Sequence, residues 1–253
     1  VPLQQGGRRA CDTRDGFQEM NLDTLRAARA AALAALAALW LSGCASLPAP
    51  NPRDPLEPIN RSVSQFNDGV DAMLLKPVAT VYRQQVPPLV RTGVSNFFGN
   101  LSDIWSFVNS ALQFKLHNAA DNLARVQLNT VFGVFGIFDL ASNLQIDRHS
   151  EDFGQTLGHW GVPAGPYLVL PFFGPSTLRD TVAMPVDRRL DLAQRIGDRD
   201  ARHGVYTLRA VDKRANLLRV GIVLEEAALD KYSFTRDAYL QRRRAEVFEA
   251  DGD

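Results

Sequence analysis

The sequence offers few residues for disulfide bonds, metal sites or electrostatic attraction to nucleic acid. Its 253 residues include only two cysteines and four histidines, and 28 basic residues balance 28 acidic ones. Cys11 lies upstream of a predicted signal peptide, so the mature protein would keep one cysteine, which excludes a disulfide and a cysteine-based metal site. The balanced charge gives no reason to expect a nucleic-acid partner.

Motifs for catalysis are also missing. The four histidines are scattered, and the chain has neither a Gly-x-Ser-x-Gly nucleophile turn nor a phosphate-binding glycine loop. His149 with Glu151 and Asp152, and His159 beside Trp160, suggest acid–base groups of a phospholipase, but no third partner is evident. We therefore predict a protein that is not an enzyme and that holds no cofactor or metal.

A lipoprotein signal is the first informative feature of the chain. Arg26 and Arg29 precede an Ala/Leu run over residues 30–41, and Leu41, Ser42 and Gly43 come directly before Cys44. The run is too short to anchor the chain across a bilayer, and small residues before a cysteine are typical of a cleavage site whose thiol is acylated. Cys44 is the predicted lipid-attachment residue.

This signal divides the chain into four parts. We interpret residues 1–19 as a non-native upstream segment, 20–43 as the signal peptide, 44–55 as the acylated cysteine and its tether, and 56–253 as the folded domain. Ala45, where aspartate would favour retention, indicates passage to the outer membrane. Two or three acyl chains suffice for stable anchoring, so we expect the domain at the periplasmic leaflet of that membrane.

Apolar residues recur at helical spacing through most of the domain, which predicts an all-α fold. The pattern includes helices near residues 208–222 and 235–248, and only Tyr167–Phe173 could form a strand. Residues expected to end helices are Gly99 and Pro185, and Pro77 is expected to break a helix or restart it. Residues expected to begin them are Ser102 with Asp103, Asn118 with Asp121, Ser176 and Asp187.

Residues 131–138, VFGVFGIF, are apolar on every side. Eight residues cannot cross a hydrocarbon core about 30 Å thick, so the segment either is buried in the domain or lies in the surface of a lipid leaflet. Both interpretations fit its periodicity. Under the second one, the candidate lipid-contacting residues are Phe132, Val134, Phe135, Ile137 and Phe138.

The segment Phe153–Asp180 combines many glycines and prolines with a high apolar content. Loops normally lie in water because their backbone polar groups need partners. An apolar, irregular segment is therefore expected to face a core, a cavity or lipid. We predict a central Gly/Pro-rich loop that faces one of these three environments.

Several motifs, in this order and spacing, resemble the MlaA (VacJ) family over nearly all of the mature chain. They are LSGC at 41–44, DPLEPINR at 54–61, PV at 77–78, SNFFGNL at 95–101, LNT at 128–130, the whole of 153–180 and DAYLQRR at 237–243. The resemblance implies a single ring-shaped helical domain that is embedded in one leaflet and has an amphipathic channel. Residues 188–223 depart from the family pattern.

The resemblance also implies a function and partners. Members remove phospholipids that have strayed to the outer leaflet, bind trimeric porins, and pass the lipid to a soluble periplasmic carrier, MlaC. By similarity, the loop beside the channel that bears on its opening contains Phe153, Gly154, Thr156, Leu157 and Gly158. The alternative from another class is a lipoprotein that braces porins without lipid passage.

The acylation site provides the first testable prediction. Cys44→Ala should abolish acylation and most membrane residence, because the apolar surface of the domain would have to hold the protein alone. Fractionation of cells that express each form measures this. Quantitative recovery of the unacylated protein in the outer membrane would contradict the anchoring role.

Overall fold

Helices make up most of residues 54–248, which are the residues that the computed structural model describes, apart from the side chains of 222–227. The α-helices in this part of the chain are α1 Glu57–Val70, α2 Lys76–Gln85, α3 Pro88–Leu112, α4 Leu116–Val131, α5 Leu140–Asn143, α6 Phe153–His159, α7 Leu178–Leu190, α8 Arg199–Ala227 and α9 Lys231–Phe248. A 3₁₀ turn, Leu192–Arg195, separates α7 from α8. The predicted signal peptide and Cys44 lie outside the described residues.

The predicted all-α class is confirmed, with one small hairpin inside it. Strands β1 Tyr167–Leu170 and β2 Gly174–Thr177 pair in antiparallel fashion. Helix α1 covers the free edge of β1 with asparagine side chains. The Asn60 amide donates to the Tyr167 carbonyl and accepts from the Val169 N–H, and Asn67 makes the equivalent pair of bonds with Leu170 and Phe172.

Pro77, which was expected to break or restart a helix, lies at the start of α2, so the restart is confirmed, whereas the predicted helix end at Pro185 is wrong. Pro77 is in the first turn of α2, which follows α1 directly through a π-helical turn, Asp71–Leu75. A proline ring crowds the carbonyl four residues earlier, and a π turn changes the backbone path at that point. Pro185 lies inside α7.

Three predicted helix starts were also wrong. Helix α3 runs without a break past Gly99, and Ser102 within it bonds back to the carbonyl of Phe98. Asp103 is buried in ion pairs instead of capping a helix. Thr177 caps α7 in place of Ser176, and Asp187 lies inside that helix. Tertiary contacts override these local signals.

Apolar clusters in the described part of the chain are small. Ala79 of α2 packs on Ala215 and Leu218 of α8, with Tyr82 beside them. A second cluster joins the hairpin to α1 and α9 and is formed by Tyr167, Val169, Tyr232, Val63, Tyr239 and Leu240. Much of the remaining interior is polar.

The expected central loop at 153–158 is a helix, α6. The Asp152 carboxylate caps it by accepting from the Gln155 N–H at 2.9 Å. Two glycines let α7 and α9 approach closely. A Cβ on Gly154 would lie 2.5 Å from an Asp180 oxygen, and one on Gly158 would lie 2.4 Å from an Arg179 nitrogen and 2.9 Å from a Val247 methyl. These glycines therefore serve close packing within a helix, which corrects the expectation of a loop at 153–158.

Two glycine substitutions test this packing. Gly158→Ala should destabilise the protein by about 1–3 kcal/mol, because Arg179 and Val247 are both held in place and cannot yield freely. Gly69→Ala in α1 is the matched control, since nothing lies within 4 Å of its Cβ position. It should stabilise the helix by about 0.5–1 kcal/mol. Thermal unfolding in detergent measures both, and equal stability of the two variants would contradict the packing role.

Candidate functional site

The interior of the described domain is lined with polar side chains. The largest side chains with almost no exposure are Arg125, Lys115, Gln113, Asn60, Asn109 and Asn122. On α4 the buried stripe is formed by Asn118, Asn122, Arg125 and Asn129, at steps of four, three and four. The apolar face of the same helix points outward, where Leu116 and Val131 are exposed.

Arg125 is the centre of the first polar network. It is 1% exposed, and its guanidinium donates to both oxygens of Asp139 at 2.8 and 2.9 Å and to the Ile146 carbonyl at 2.5 Å. Burial alone would raise the pKa of Asp139, but hydrogen bonds from Ser142 and Asn129 and the charge of Arg125 lower it to about 2. Helix α4 thereby fastens the segment 139–146 to the domain.

Asp103 of α3 completes this network on the other side. Its carboxylate pairs with Arg125 at 3.5 Å and with Arg148 at 3.0 Å. Burial raises the pKa of Asp103, and the two arginines oppose that rise. A buried carboxylate without these partners would be strongly destabilising.

A second network holds α6 against α3. Lys115 and Glu151 form a buried ion pair of 2.9 Å. Gln113 donates to Glu151 at 2.9 Å and to the Thr156 hydroxyl at 3.1 Å, and that hydroxyl donates to Asn109 at 2.8 Å. Thr156 belongs to the segment 153–158 that the family resemblance places beside the channel, called the predicted gating segment below. Its hydroxyl both accepts and donates a hydrogen bond within the interior.

The remaining residues of the predicted gating segment all lie on α6. Gly154 and Gly158 are buried, and Phe153 and Leu157 are half-buried. The Phe153 N–H donates to the Asp187 carboxylate at 2.9 Å, and its ring meets Trp160 edge-on with centroids 6.4 Å apart. The movement of this segment stays a prediction.

The groups considered for a phospholipase make separate contacts. His149 pairs with Asp121 at 3.1 Å, Glu151 with Lys115, and Asp152 with Arg243 at 2.6 Å. Among residues 54–248, no group of His, Cys, Asp and Glu is arranged to hold a metal ion. Each of these contacts supports a structural role.

The candidate lipid-contacting residues lie on the surface. Phe132, Val134, Phe135, Ile137 and Phe138 are all exposed, and Phe135 is 73% exposed. Of the two interpretations left open by the sequence, the buried core is wrong. Phe132, Ile137 and Phe138 also line an apolar groove of about 740 Å³ against Leu89 and Phe97 of α3.

Four exposed apolar residues also have strained backbones. Phe114, Val134, Phe135 and Phe172 have φ between 53° and 66°, and Phe114 is 78% exposed. Bulky side chains are unfavourable at positive φ, where asparagine or glycine is the usual choice. In water, both the positive φ and the exposed apolar side chain would be unfavourable at these positions. Contact with acyl chains would remove the cost of the exposed side chain.

An amphipathic cavity of about 470 Å³ lies between α3, the end of α7, the 3₁₀ turn and α8. Leu101, Ile104, Trp105 and Val108 form an apolar stripe on the α3 side. Arg188, Arg195 and Arg209 also line the cavity, together with the carboxylate of Asp187. Asp187 accepts from the Trp105 indole at 2.8 Å and from the Phe153 N–H, so one carboxylate joins the cavity wall to the start of α6. Burial raises the pKa of Asp187, and these hydrogen bonds oppose the rise.

Sequence reasoning missed the polar interior and the cavity. The polar stripe of α4 was visible as a periodic pattern, since residues 118, 122, 125 and 129 fall on one helical face. The cavity was not visible, because its walls come from segments far apart in the chain.

Comparison with known proteins finds a family model and several relatives that match this chain. A family model described as "MlaA lipoprotein" matches residues 52–246. The chain is 38% identical over 214 residues to the intermembrane phospholipid transport system lipoprotein MlaA of Shigella flexneri, over 80% of this chain and 82% of that protein. It is 34% identical over 217 residues to the Haemophilus influenzae protein of the same name, over 82% of this chain and 86% of that one.

A solved structure described as "Structural basis for maintenance of bacterial outer membrane lipid asymmetry" has the same fold. The TM-score is 0.67 at 35% identity, over 77% of this chain and 98% of that chain. No described helix combines the length and the apolar content needed to cross a bilayer. The chain belongs to the MlaA lipoprotein family.

Proposed function

We propose that this protein is an outer-membrane lipoprotein that removes mislocalised phospholipids from the outer leaflet and so maintains lipid asymmetry. The lipid would pass through an amphipathic channel in a ring-shaped domain and then to a soluble periplasmic carrier of the MlaC type. The names of the relatives, which refer to intermembrane phospholipid transport, support this function.

The observation that carries the proposal is the inverted distribution of polarity. The largest fully buried side chains are polar or charged, whereas many large apolar side chains are exposed. A protein surrounded by water gains about 25 cal/mol for each Å² of apolar surface that it buries, so this surface requires a partner. Acyl chains fit it, and the polar interior fits a charged head group that must cross an apolar layer.

The proposal includes a location and further partners. Acylation at Cys44 would keep the domain within the periplasmic leaflet, and a trimeric porin would bind it there. The exposed phenylalanines of the 132–138 segment support contact with the leaflet. The porin and the carrier rest on the family resemblance, and the amphipathic cavity beside α6 supports the lipid passage.

The proposal is tested in cells that lack this chain. Phospholipid in the outer leaflet, measured by its accessibility to added phospholipase, should rise and return to normal when the wild-type chain is restored. Porin recovered with the tagged chain is measured in parallel. Porin binding without any change in surface phospholipid would reject transport in favour of a bracing role.

A second test addresses contact with the leaflet. Val134→Asn with Phe135→Asn should weaken membrane embedding of the unacylated protein several-fold, because two side chains that we place among acyl chains become polar. Asparagine tolerates positive φ, so stability in detergent should be unchanged or higher. Flotation with vesicles and thermal unfolding measure the two effects. Unchanged flotation would contradict lipid contact at these positions.

A further inference from the structure

We propose that the amphipathic cavity contains a binding site for the phosphodiester of a glycerophospholipid, formed by the guanidinium groups of Arg188, Arg195 and Arg209. This inference rests on the proposed function and names residues through which the chain would recognise its lipid. The three arginines come from three different elements: the end of α7, the 3₁₀ turn and α8.

Arg209 is held in place by two hydrogen bonds. One guanidinium nitrogen donates to Asp191 at 2.8 Å, and another donates to the Ser102 hydroxyl of α3 at 2.8 Å. The Asp191 carboxylate also caps the 3₁₀ turn that carries Arg195, since it accepts from the Ala193 N–H. Asp191 therefore links two of the arginines and orders one side of the cavity.

The other two arginines keep their N–H groups for a ligand. The guanidinium carbon of Arg188 lies 4.0 Å from the centre of the Phe173 ring, a cation–π contact that leaves its charge unneutralised. Among the described side chains, which exclude those of 222–227, no ion pair joins Arg188 or Arg195 to a carboxylate. A guanidinium fork matches the paired oxygens of a phosphate.

The acidic residues of the cavity do not cancel this charge. Glu151 is neutralised by Lys115 at 2.9 Å, and Asp191 is paired with Arg209. Asp187 accepts hydrogen bonds from Trp105 and Phe153. The lining thus holds three arginines and three carboxylates, but Lys115, outside the lining, neutralises Glu151, and Arg209 neutralises Asp191. Arg188 and Arg195 remain against the single carboxylate of Asp187, so the cavity favours an anion.

The cavity wall formed by α3 is apolar, so the cavity favours an anion that is also partly apolar. The stripe Leu101, Ile104, Trp105 and Val108 faces the arginines across the cavity. The volume of about 470 Å³ suits a head group with part of its glycerol, and falls within the usual range for ligand pockets. A phosphodiester joined to acylated glycerol combines both properties, and its acyl chains would extend beyond the cavity.

The test measures binding to the purified mature chain in detergent. Trp160→Phe is introduced throughout, so that Trp105 in the cavity wall is the tryptophan that reports. The probes are a short-chain phosphatidylglycerol, the matching diacylglycerol without phosphate, and inorganic phosphate. The wild-type arginines should bind phosphatidylglycerol well above the two other probes.

Arginine variants identify the residues responsible. Arg188→Gln and Arg195→Gln should each weaken phosphatidylglycerol binding about tenfold, with a larger loss when they are combined. Arg189→Gln is the matched control, because this neighbouring exposed arginine does not line the cavity. Arg188→Lys should bind better than Arg188→Gln, and thermal unfolding of each variant confirms that the fold is intact.

Two binding results would overturn the proposal. Diacylglycerol binding as tight as that of phosphatidylglycerol, unaffected by the variants, would indicate an apolar pocket without anion recognition. Inorganic phosphate binding as tightly, with the same dependence on arginine, would indicate an anion site without preference for lipid.

The outcome is separable from that of the proposed function. Arginine-dependent binding in a chain that does not clear surface phospholipid would keep the site and reject transport. Normal clearance by the double glutamine variant, together with undiminished binding, would keep transport and reject the site.

Discussion

The structure depends on the requirement that buried charges have partners. Arg125 has almost no contact with solvent, so Asp139, Ile146 and Asp103 must supply its partners. These contacts fix the position of the segment 139–146, which leads to Glu151. The ion pair of Glu151 with Lys115 then fixes the start of α6. Asp152, at the cap of α6, then pairs with Arg243 of α9. One series of polar contacts thus runs from the middle of the chain to its last helix.

Under the proposed location in a lipid leaflet, two different solvents would explain why polar residues lie inside and apolar residues outside. In water, the hydrophobic effect selects an apolar interior, but it provides no driving force where acyl chains surround the protein. Polar pairing then becomes the main source of a unique arrangement within the domain. Helix α4 shows this clearly, since its asparagine and arginine stripe is buried while Leu116 and Val131 are exposed.

The sequence predicted the all-α class and helices α8 and α9. It predicted a surface position for the segment 132–138 only as one of two alternatives. Its errors have physical causes. Gly99 and Pro185 are weak helix formers, yet tertiary contacts hold both of them within helices. Gly154 and Gly158 favoured a loop, yet they lie in α6, which Asp152 caps, and α7 and α9 pack there too closely to admit a Cβ. The cavity could not be predicted, because Trp105, Asp187 and Arg209 meet only through the fold.

The short hairpin has a consequence for self-association. A strand edge with free N–H and C=O groups is a template for pairing with another chain, which leads to strand exchange or aggregation. Asn60 and Asn67 of α1 already occupy the edge of β1, using side-chain amides in place of a third strand. Strand β2 contains Pro175, which has no N–H to donate. Two strands can therefore exist within this helical protein without offering a growth point for fibrils.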